Sequence, residues 1–387
     1  MRMIRIAAVL ALASAALLPA HTASAQGCIA IRNNEPVFGA SEQVVFAPGE
    51  WQFFFNFRDA KSTDHYNGTK FQYQRQSANN YVSNTQQLYD VGASYNVTQR
   101  FSVSGLIPVV NATWSLPTPT SGTLGPRREQ NASGLGDVSA QARYWLLDPA
   151  KHPRGNWSLG FGIKAPTGDY ANEDNYPDIF TGANDTEKVV DQSIQPGDGG
   201  WGYLFDIQAY KALKHVTFFG SGTYLANPKD TNDAASILVG LGIPPSASTA
   251  ELQVNSVVDN YLVRAGAVFP VKQSGFAMSL AFRIEGLPRY DLIGDSHGWR
   301  RPGYETFIEP GFIYSFGKQT LSLYVPIGLV QNRLANPTDT NGLPGDATFP
   351  EYIILAGYSY RFPPPSGAAD REAAPMPPPE TPMPVTP

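Results

Sequence analysis

Cysteine occurs once in this sequence, at Cys28, so no disulfide can form within the chain. Charge is scarce: Asp, Glu, Lys and Arg make up 16% of the residues, below the usual quarter. The net charge of −5 argues against a nucleic-acid partner. Beyond the N-terminal leader, no apolar run reaches the roughly 18 residues that a membrane helix requires. There is no H-E-x-x-H phrase and no Cys/His ligand cluster, so the sequence offers no catalytic or structural metal site. No cofactor is implied. What remains is a chain of 387 residues with 42% hydrophobic residues, 36 Gly, 19 Tyr and 21 Phe, too apolar for a disordered protein.

Residues 1–25 read as a secretory signal. Arg2 and Arg5 form the positive start, Ile6 to Leu18 the apolar centre, and Ala23-Ser24-Ala25 a small-x-small cleavage site. Cys28 follows closely, but Ala25-Gln26-Gly27 is a poor lipoprotein box, which favours ordinary cleavage over a lipid anchor. Residues 26–49 are a periplasmic lead or a small plug, with Ile29, Ile31, Val37, Phe38, Val44, Val45 and Phe46 available to reach inward.

From residue 50 to 362 the pattern is period two. Twelve strands are predicted, at roughly 50–58, 86–96, 100–110, 136–147, 156–166, 201–211, 215–226, 257–269, 275–286, 303–316, 320–332 and 351–362. Short connectors follow the even strands. Long ones follow the odd strands, at 59–85, 111–135, 167–200, 227–256, 287–302 and 333–350. A soluble sandwich has no cause to gather every long loop at one end. An all-β, transmembrane, antiparallel up-and-down β-barrel of the outer membrane does, with short periplasmic turns, long outer loops and an even strand number.

The two faces of each strand sharpen this expectation. One parity is apolar throughout: Trp51, Phe53, Phe55 and Phe57; Trp157, Leu159, Phe161 and Ile163; Phe276, Met278, Leu280, Phe282 and Ile284. The other carries Arg58, Asp90, Asp137, Arg143, Lys164, Asp206, Arg264, Arg283, Glu285, Glu305, Glu309 and Arg361. Solvation explains the split, because a Lys or Arg facing lipid at mid-membrane costs about 2–4 kcal/mol. Aromatic residues gather at strand ends, as interfacial girdles do. The last strand, "YIILAGYSYRF", ends on Phe362, which resembles the terminal aromatic read by the barrel-assembly machinery. The tail, 363–387, holds ten prolines in 25 residues and reads as a disordered, extended periplasmic segment. The chain is thus expected in the cell outer membrane, with outer-membrane lipid as its surroundings and both termini periplasmic.

Several phrases are more specific than a generic barrel. "SGLGDVSAQARYWLL" (133–147), "GIKAPTGDY" (162–170), "DQSIQPGDGGWGYLFDIQAYKAL" (191–213), "LSLYVPIGLVQNR" (321–333) and "LAGYSYRF" (355–362) resemble the outer-membrane family named for the meta-pathway of phenol degradation. That family is distantly similar to the long-chain fatty-acid transporters of the outer membrane. The resemblance implies a barrel for uptake of hydrophobic, and by its name aromatic, small molecules. The fatty-acid transporters have more strands and an N-terminal hatch, for which residues 26–49 leave little chain.

Inward-facing Phe54, Trp145, Leu204, Tyr210, Phe219, Phe307 and Tyr324 are the candidates for a solute path, since a general porin would be lined more uniformly with polar groups. Arg264, Arg283, Glu285 and Glu309, on consecutive strands, are expected to form an interior charge cluster. Twelve strands enclose a modest bore, so the same residues also fit a filled interior. Three functions follow: passive uptake of small hydrophobic compounds, a structural or interaction barrel with a blocked lumen, and an outer-membrane hydrolase. The third is the weakest. His65 and His297 are the outer-loop histidines, and neither sits in a serine phrase of the outer-membrane phospholipase kind. The acidic loop holding Asp169, Asp174, Asp178, Asp185, Asp191 and Asp198 lacks EF-hand spacing and reads as a solvated loop or a lid.

Overall fold

The computed structural model describes residues 47–120, 123–178, 182, 185–246, 249–271, 274–338 and 345–364. The expected signal peptide, Cys28, the plug candidates up to Phe46 and the tail beyond Pro364 lie outside them.

The elements are β1 (Trp51–Asn67), β2 (Lys70–Phe71), α1 (Tyr73–Ser77), β3 (Ser83–Asn96), β4 (Phe101–Thr120), β5 (Thr123–Leu135), β6 (Ser139–Trp145) and β7 (Gly155–Lys164). Then come β8 (Glu173–Tyr176), β9 (Thr186–Val189), β10 (Gly202–Ala212), β11 (Thr217–Ala226), β12 (Thr231–Ala235), α2 (Ile237–Gly240) and β13 (Val254–Ser256). The last are β14 (Asn260–Pro270), β15 (Phe276–Leu287), β16 (Gly303–Phe316), β17 (Gln319–Tyr324), β18 (Ile327–Arg333) and β19 (Asp346–Phe362).

These form a closed antiparallel barrel of twelve strands, counting β5 with β6 and β17 with β18 as single broken strands. Closure comes from β19 pairing with β1, from Trp51 opposite Phe362 to Asn67 opposite Asp346. It leaves the barrel no free edge, which is what hydrocarbon surroundings demand of backbone donors and acceptors. The breaks coincide with prolines, which lack an N–H. Around Pro326 the backbone is stitched by Val325 N–H donating to Pro310 O (3.0 Å) and Ile353 N–H donating to Pro326 O (2.9 Å). Opposite Pro108, Gly136 N–H donates to the proline carbonyl at 2.8 Å.

The predicted parity holds. Trp51, Phe53, Phe55, Trp157, Leu159, Phe161, Phe276, Met278, Leu280 and Phe282 are all exposed, while eleven of the twelve inward charges are buried and Arg361 is half-buried. A mature soluble protein would not present such a continuous apolar belt.

Several boundaries differ from the sequence-based expectation, among them β19, which begins at Asp346 rather than near 351, and β3, which begins at Ser83 rather than near 86. Segment 111–135 is not a loop but the upper part of the β4–β5 hairpin, and β1 runs to Asn67 rather than ending near 58. The reason is visible on the outward face. Above the apolar belt, outward positions become Asp59 and Lys61 on β1, Asn111 on β4 and Asn131 and Ser133 on β5. Pairing continues there, but the greasy face that marks a lipid-facing strand does not. The strands therefore rise above the belt as a wall.

Inside that wall the long loops build a cap. Val110, Ala112, Trp114 and Leu116 of β4 pack with Tyr176, Val190 and Ile194 of one loop, Ile237, Leu238, Leu241 and Leu252 of the next, and Trp299 of a third. Ser236 caps α2 by accepting from Leu238 N–H, and its hydroxyl donates to Leu252 O at 2.6 Å. Arg301 holds Asp191 through a bidentate pair, with one bond of 2.7 Å. The acidic loop thus packs into the cap through Tyr176, Val190, Asp191 and Ile194, while Asp169 and Asp185 stay exposed.

Candidate functional site: the lumen and the cavity under the cap

Alternation on β14, β15 and β16 aims Arg264, Arg283, Glu285 and Glu309 into the bore, and the register brings them together. Arg283 Nε donates to Glu285 Oε2 at 2.6 Å, Arg283 lies 3.5 Å from Glu309, and Arg264 pairs with Glu309. Arg58 of β1 joins from across the lumen, donating to Glu285 Oε1 at 2.6 Å. The two partners are 227 residues apart in the chain, so only closure of the barrel unites them. Glu305 is fully buried near this network, and neither of its carboxylate oxygens has a hydrogen-bond partner among the described residues.

The seven apolar and aromatic candidates fall into separate groups. Phe219, Phe307 and Tyr324 pack with Val268, Ala281, Ile313, Ile353 and Leu355 as an interior core on the β11–β19 side. The Arg264 guanidinium lies over Tyr324 at 5.2 Å and over Phe219 at 5.9 Å, tying the core to the charge network. Tyr324 reaches this place over Gly311, where a Cβ would stand 2.1 Å from the ring. Trp145 and Tyr210 meet edge to face, centroids 5.7 Å apart, on the opposite wall. Phe54 is half-buried across Gly92 on the neighbouring strand, and Leu204 stands apart, higher in the wall.

Leu204 belongs to a cavity of about 120 Å³ between the cap and the bore. Leu106, Pro108, Leu225, Val258 and Leu287 supply the rest of its apolar lining. Its polar lining includes Asp137, Lys164, Asp198 and Arg301. Lys164 Nζ donates to Asp137 at 3.0 Å, to Asp198, and to Gly200 O at 2.8 Å. Asp137 also accepts from Gly168 N–H (3.0 Å) and Asp198 N–H (3.1 Å). The quoted phrases "SGLGDV", "GIKAPTGDY" and "QPGDGG" therefore converge on one knot. Gly168 and Gly197 fit because a Cβ on Gly197 would lie 2.3 Å from Gly168 O. Single-sequence reading found the phrases but not their meeting point, which depends on the cap folding back. The repeated Gly-Asp pairs were the available signal.

Below the cavity, Arg143 Nε and a terminal nitrogen donate to Asp206 at 3.1 and 2.7 Å. Past this pair the wall is polar and partly open: Ser94, Ser102, Ser104 and Gln141 are half-exposed on the inward face. At the end of the barrel where β1 begins and β19 finishes, a second recess, of about 410 Å³, is bounded by Glu50, Lys318 and Arg361.

The histidines are committed elsewhere. His65 is buried; its Nε2 accepts from Val82 N–H at 2.8 Å, so Nδ1 carries the proton and donates to Asp346 at 2.9 Å. His297 is exposed and bonds Asp230 at 2.7 Å, while the neighbouring Ser296 hydroxyl donates to Asp291 at 3.3 Å. Asp230, Asp295 and His297 bring one ligand atom each within 4.8 Å of one another, a grouping of one half-buried and two exposed side chains that the sequence reading passed over. Asp185 pairs with Arg128, and Asp174 accepts from Asn131 N–H at 2.7 Å.

Residues 56–193 match the model of the family described as "Putative MetA-pathway of phenol degradation", which bears out the family resemblance over that segment. No curated protein matches the chain. Among solved structures, an outer membrane channel from Pseudomonas putida F1 is similar at a TM-score of 0.52 and 13% identity, covering 85% of this chain and all (100%) of that one. A Pseudomonas aeruginosa FadL homologue aligns at a TM-score of 0.37 and 10% identity over 81% of this chain and 88% of its own. The Ralstonia pickettii toluene transporter TbuX aligns at 0.39 and 9% identity over 82% and 90%. At these identities the first likeness shows the fold, that of an outer-membrane barrel, and the other two carry no further weight.

Proposed function

We propose that this chain is an outer-membrane channel for passive entry of small hydrophobic molecules, single-ring aromatics among them, with solute first held in the cavity under the cap. The cavity carries this reading: nine polar or charged residues share its lining with six apolar ones, yet most of the surface it presents is apolar, as in a ligand pocket rather than an aqueous pore. Its size narrows the class. An apolar cavity of about 150 Å³ accepts benzene, and at about 120 Å³ this one is of the order of one small ring. From there the solute would pass the Arg143–Asp206 pair to the half-exposed serines and the periplasm. Insertion would use the barrel-assembly machinery through the strand ending at Phe362, with the mature N-terminus and the tail periplasmic.

Purified protein in liposomes tests this. Entry of toluene or phenol should be faster than in empty vesicles, and Leu204→Trp, which fills the cavity, should abolish the difference while leaving the folded barrel intact. Equal entry with and without protein refutes it.

One observation favours the blocked-lumen alternative: the Arg58–Glu285 bond spans the bore. Planar bilayers separate the two. Under the blocked reading the native protein is silent and Arg58→Ala opens a conductance.

A further inference from the structure

The loop joining β15 to β16 carries a second apolar surface that neither the barrel belt nor the cap uses. Tyr290, Leu292 and Ile293 are 59%, 66% and 43% exposed, side by side in the chain, in a loop whose other end is deeply buried. That other end, Trp299 to Arg301, forms part of the cap: Trp299 packs in its core, Arg300 pairs with Asp291 at 2.5 Å, and Arg301 pairs with Asp191.

Hydrogen bonds fix where the exposed part lies. Asp259 immediately precedes β14 and shares the outward parity of Tyr261 and Val263. Its Oδ2 accepts the Tyr224 hydroxyl at 2.8 Å and Leu292 N–H at 2.7 Å, and its own N–H donates to Asp291 at 3.0 Å. Segment 290–293 is therefore folded against the outside of the wall, not over the lumen. Directly below it runs a row of outward tyrosines. Tyr224 is opposite Tyr261, Tyr261 opposite Gly286, and Gly286 opposite Tyr304. Gly286 leaves room for the Tyr261 ring, whose hydroxyl would be 2.6 Å from a Cβ there. Such a row marks the upper edge of a lipid belt. Arg289, with its guanidinium 5.3 Å from the Tyr290 ring centroid and a terminal nitrogen donating to Asn336 O at 3.1 Å, adds a cation beside this segment.

We propose that segment 290–293 is a docking surface for lipid, seated in the headgroup–acyl boundary of the outer leaflet with Leu292 and Ile293 among the chains and Tyr290 and Arg289 at the headgroups. Its continuity with the tyrosine row argues for lipid over a protein partner, because any macromolecule covering it would also have to enter the membrane. The loop then joins the outer leaflet to the cap: the peptide that touches lipid at Leu292 ends, nine residues on, at Arg301 in the wall of the cavity. A lipophilic molecule dissolved in the leaflet would meet this segment before the cavity. The inference rests on the membrane placement above and extends it to a part of the chain outside the barrel strands.

The test uses the full chain with Cys28→Ser, carrying a single cysteine at Leu292, at Phe282 in the belt, or at Tyr73 on the exposed face of α1. Each is labelled with an environment-sensitive fluorophore in phosphatidylcholine–phosphatidylglycerol vesicles, with and without lipids bearing a nitroxide near the headgroup. The expected result is loss of fluorescence at position 292 close to that at 282, with little at 73. Loss at 292 no greater than at 73, while 282 is quenched, overturns the proposal and leaves the membrane reading standing. Absence of quenching at 282 as well overturns the membrane reading itself. Disulfide-linked dimers forming through position 292 in vesicles would assign the patch to a second copy and also overturn the proposal.

Discussion

Glu285 is the hub of the interior network, and Glu285→Gln is the perturbation that probes it best. Two guanidiniums, from Arg58 and Arg283, approach its carboxylate to 2.6 Å, and all three side chains are about 1% exposed. The amide keeps the volume but cannot neutralise either cation. Removing one partner of a buried ion pair costs about 3–5 kcal/mol, because the remaining charge stays desolvated. Part of that loss is offset if Glu305, whose oxygens are otherwise unengaged, turns to one of the arginines. The expected destabilisation is therefore toward the lower end, about 3 kcal/mol. Denaturant unfolding of the detergent- or vesicle-embedded barrel measures it. The variant Arg58→Met with Glu285→Leu should recover the part of the loss that comes from Arg58, since replacing both members of a buried pair with apolar groups is often near neutral, while Arg283 keeps only Glu309 at 3.5 Å. If Glu285→Gln costs less than about 1 kcal/mol, the network behaves like a solvated surface pair. The bore at that height would then be wet, and its description as a packed interior would be wrong.

Trp299→Ala removes a fully packed side chain from the cap and not from the barrel; a loss of about 3–5 kcal/mol confined to the cap is expected. Protease cleavage within 165–201 should rise while the folded barrel persists, and unchanged cleavage would show that the cap has no core of its own. His65 sits above the lipid belt, and burial pushes its pKa below the ordinary 6.5. The unfolded chain therefore takes up the proton first, so this site's contribution is full above pH 6.5 and falls as the pH drops below it. His65→Gln should flatten that part of the stability–pH curve; an identical slope in both proteins would exclude His65 as its source.

Alternation along each strand made the barrel legible without coordinates. Lipid accepts almost no charge on one face, so the parity of Arg58, Asp90, Arg283 or Glu309 is written locally and needs no knowledge of neighbours. Strand number, the placement of the long loops and the lipid face of Trp157 to Ile163 all follow from that constraint. The wall above the membrane did not follow, because water tolerates Asp59 and Asn131 on an outward face and the signal fades while pairing persists.

What the tertiary structure alone decided is which distant residues meet. Arg58 finds Glu285 because β19 closes on β1. Asp137, Lys164 and Asp198 form one knot because the cap folds back between them, and Trp299 is buried because three loops share a core. Each of these contacts joins residues whose separation along the chain carries no period. Solvation fixes the direction in which a side chain points, but its partner is set by closure and packing, which no local pattern records.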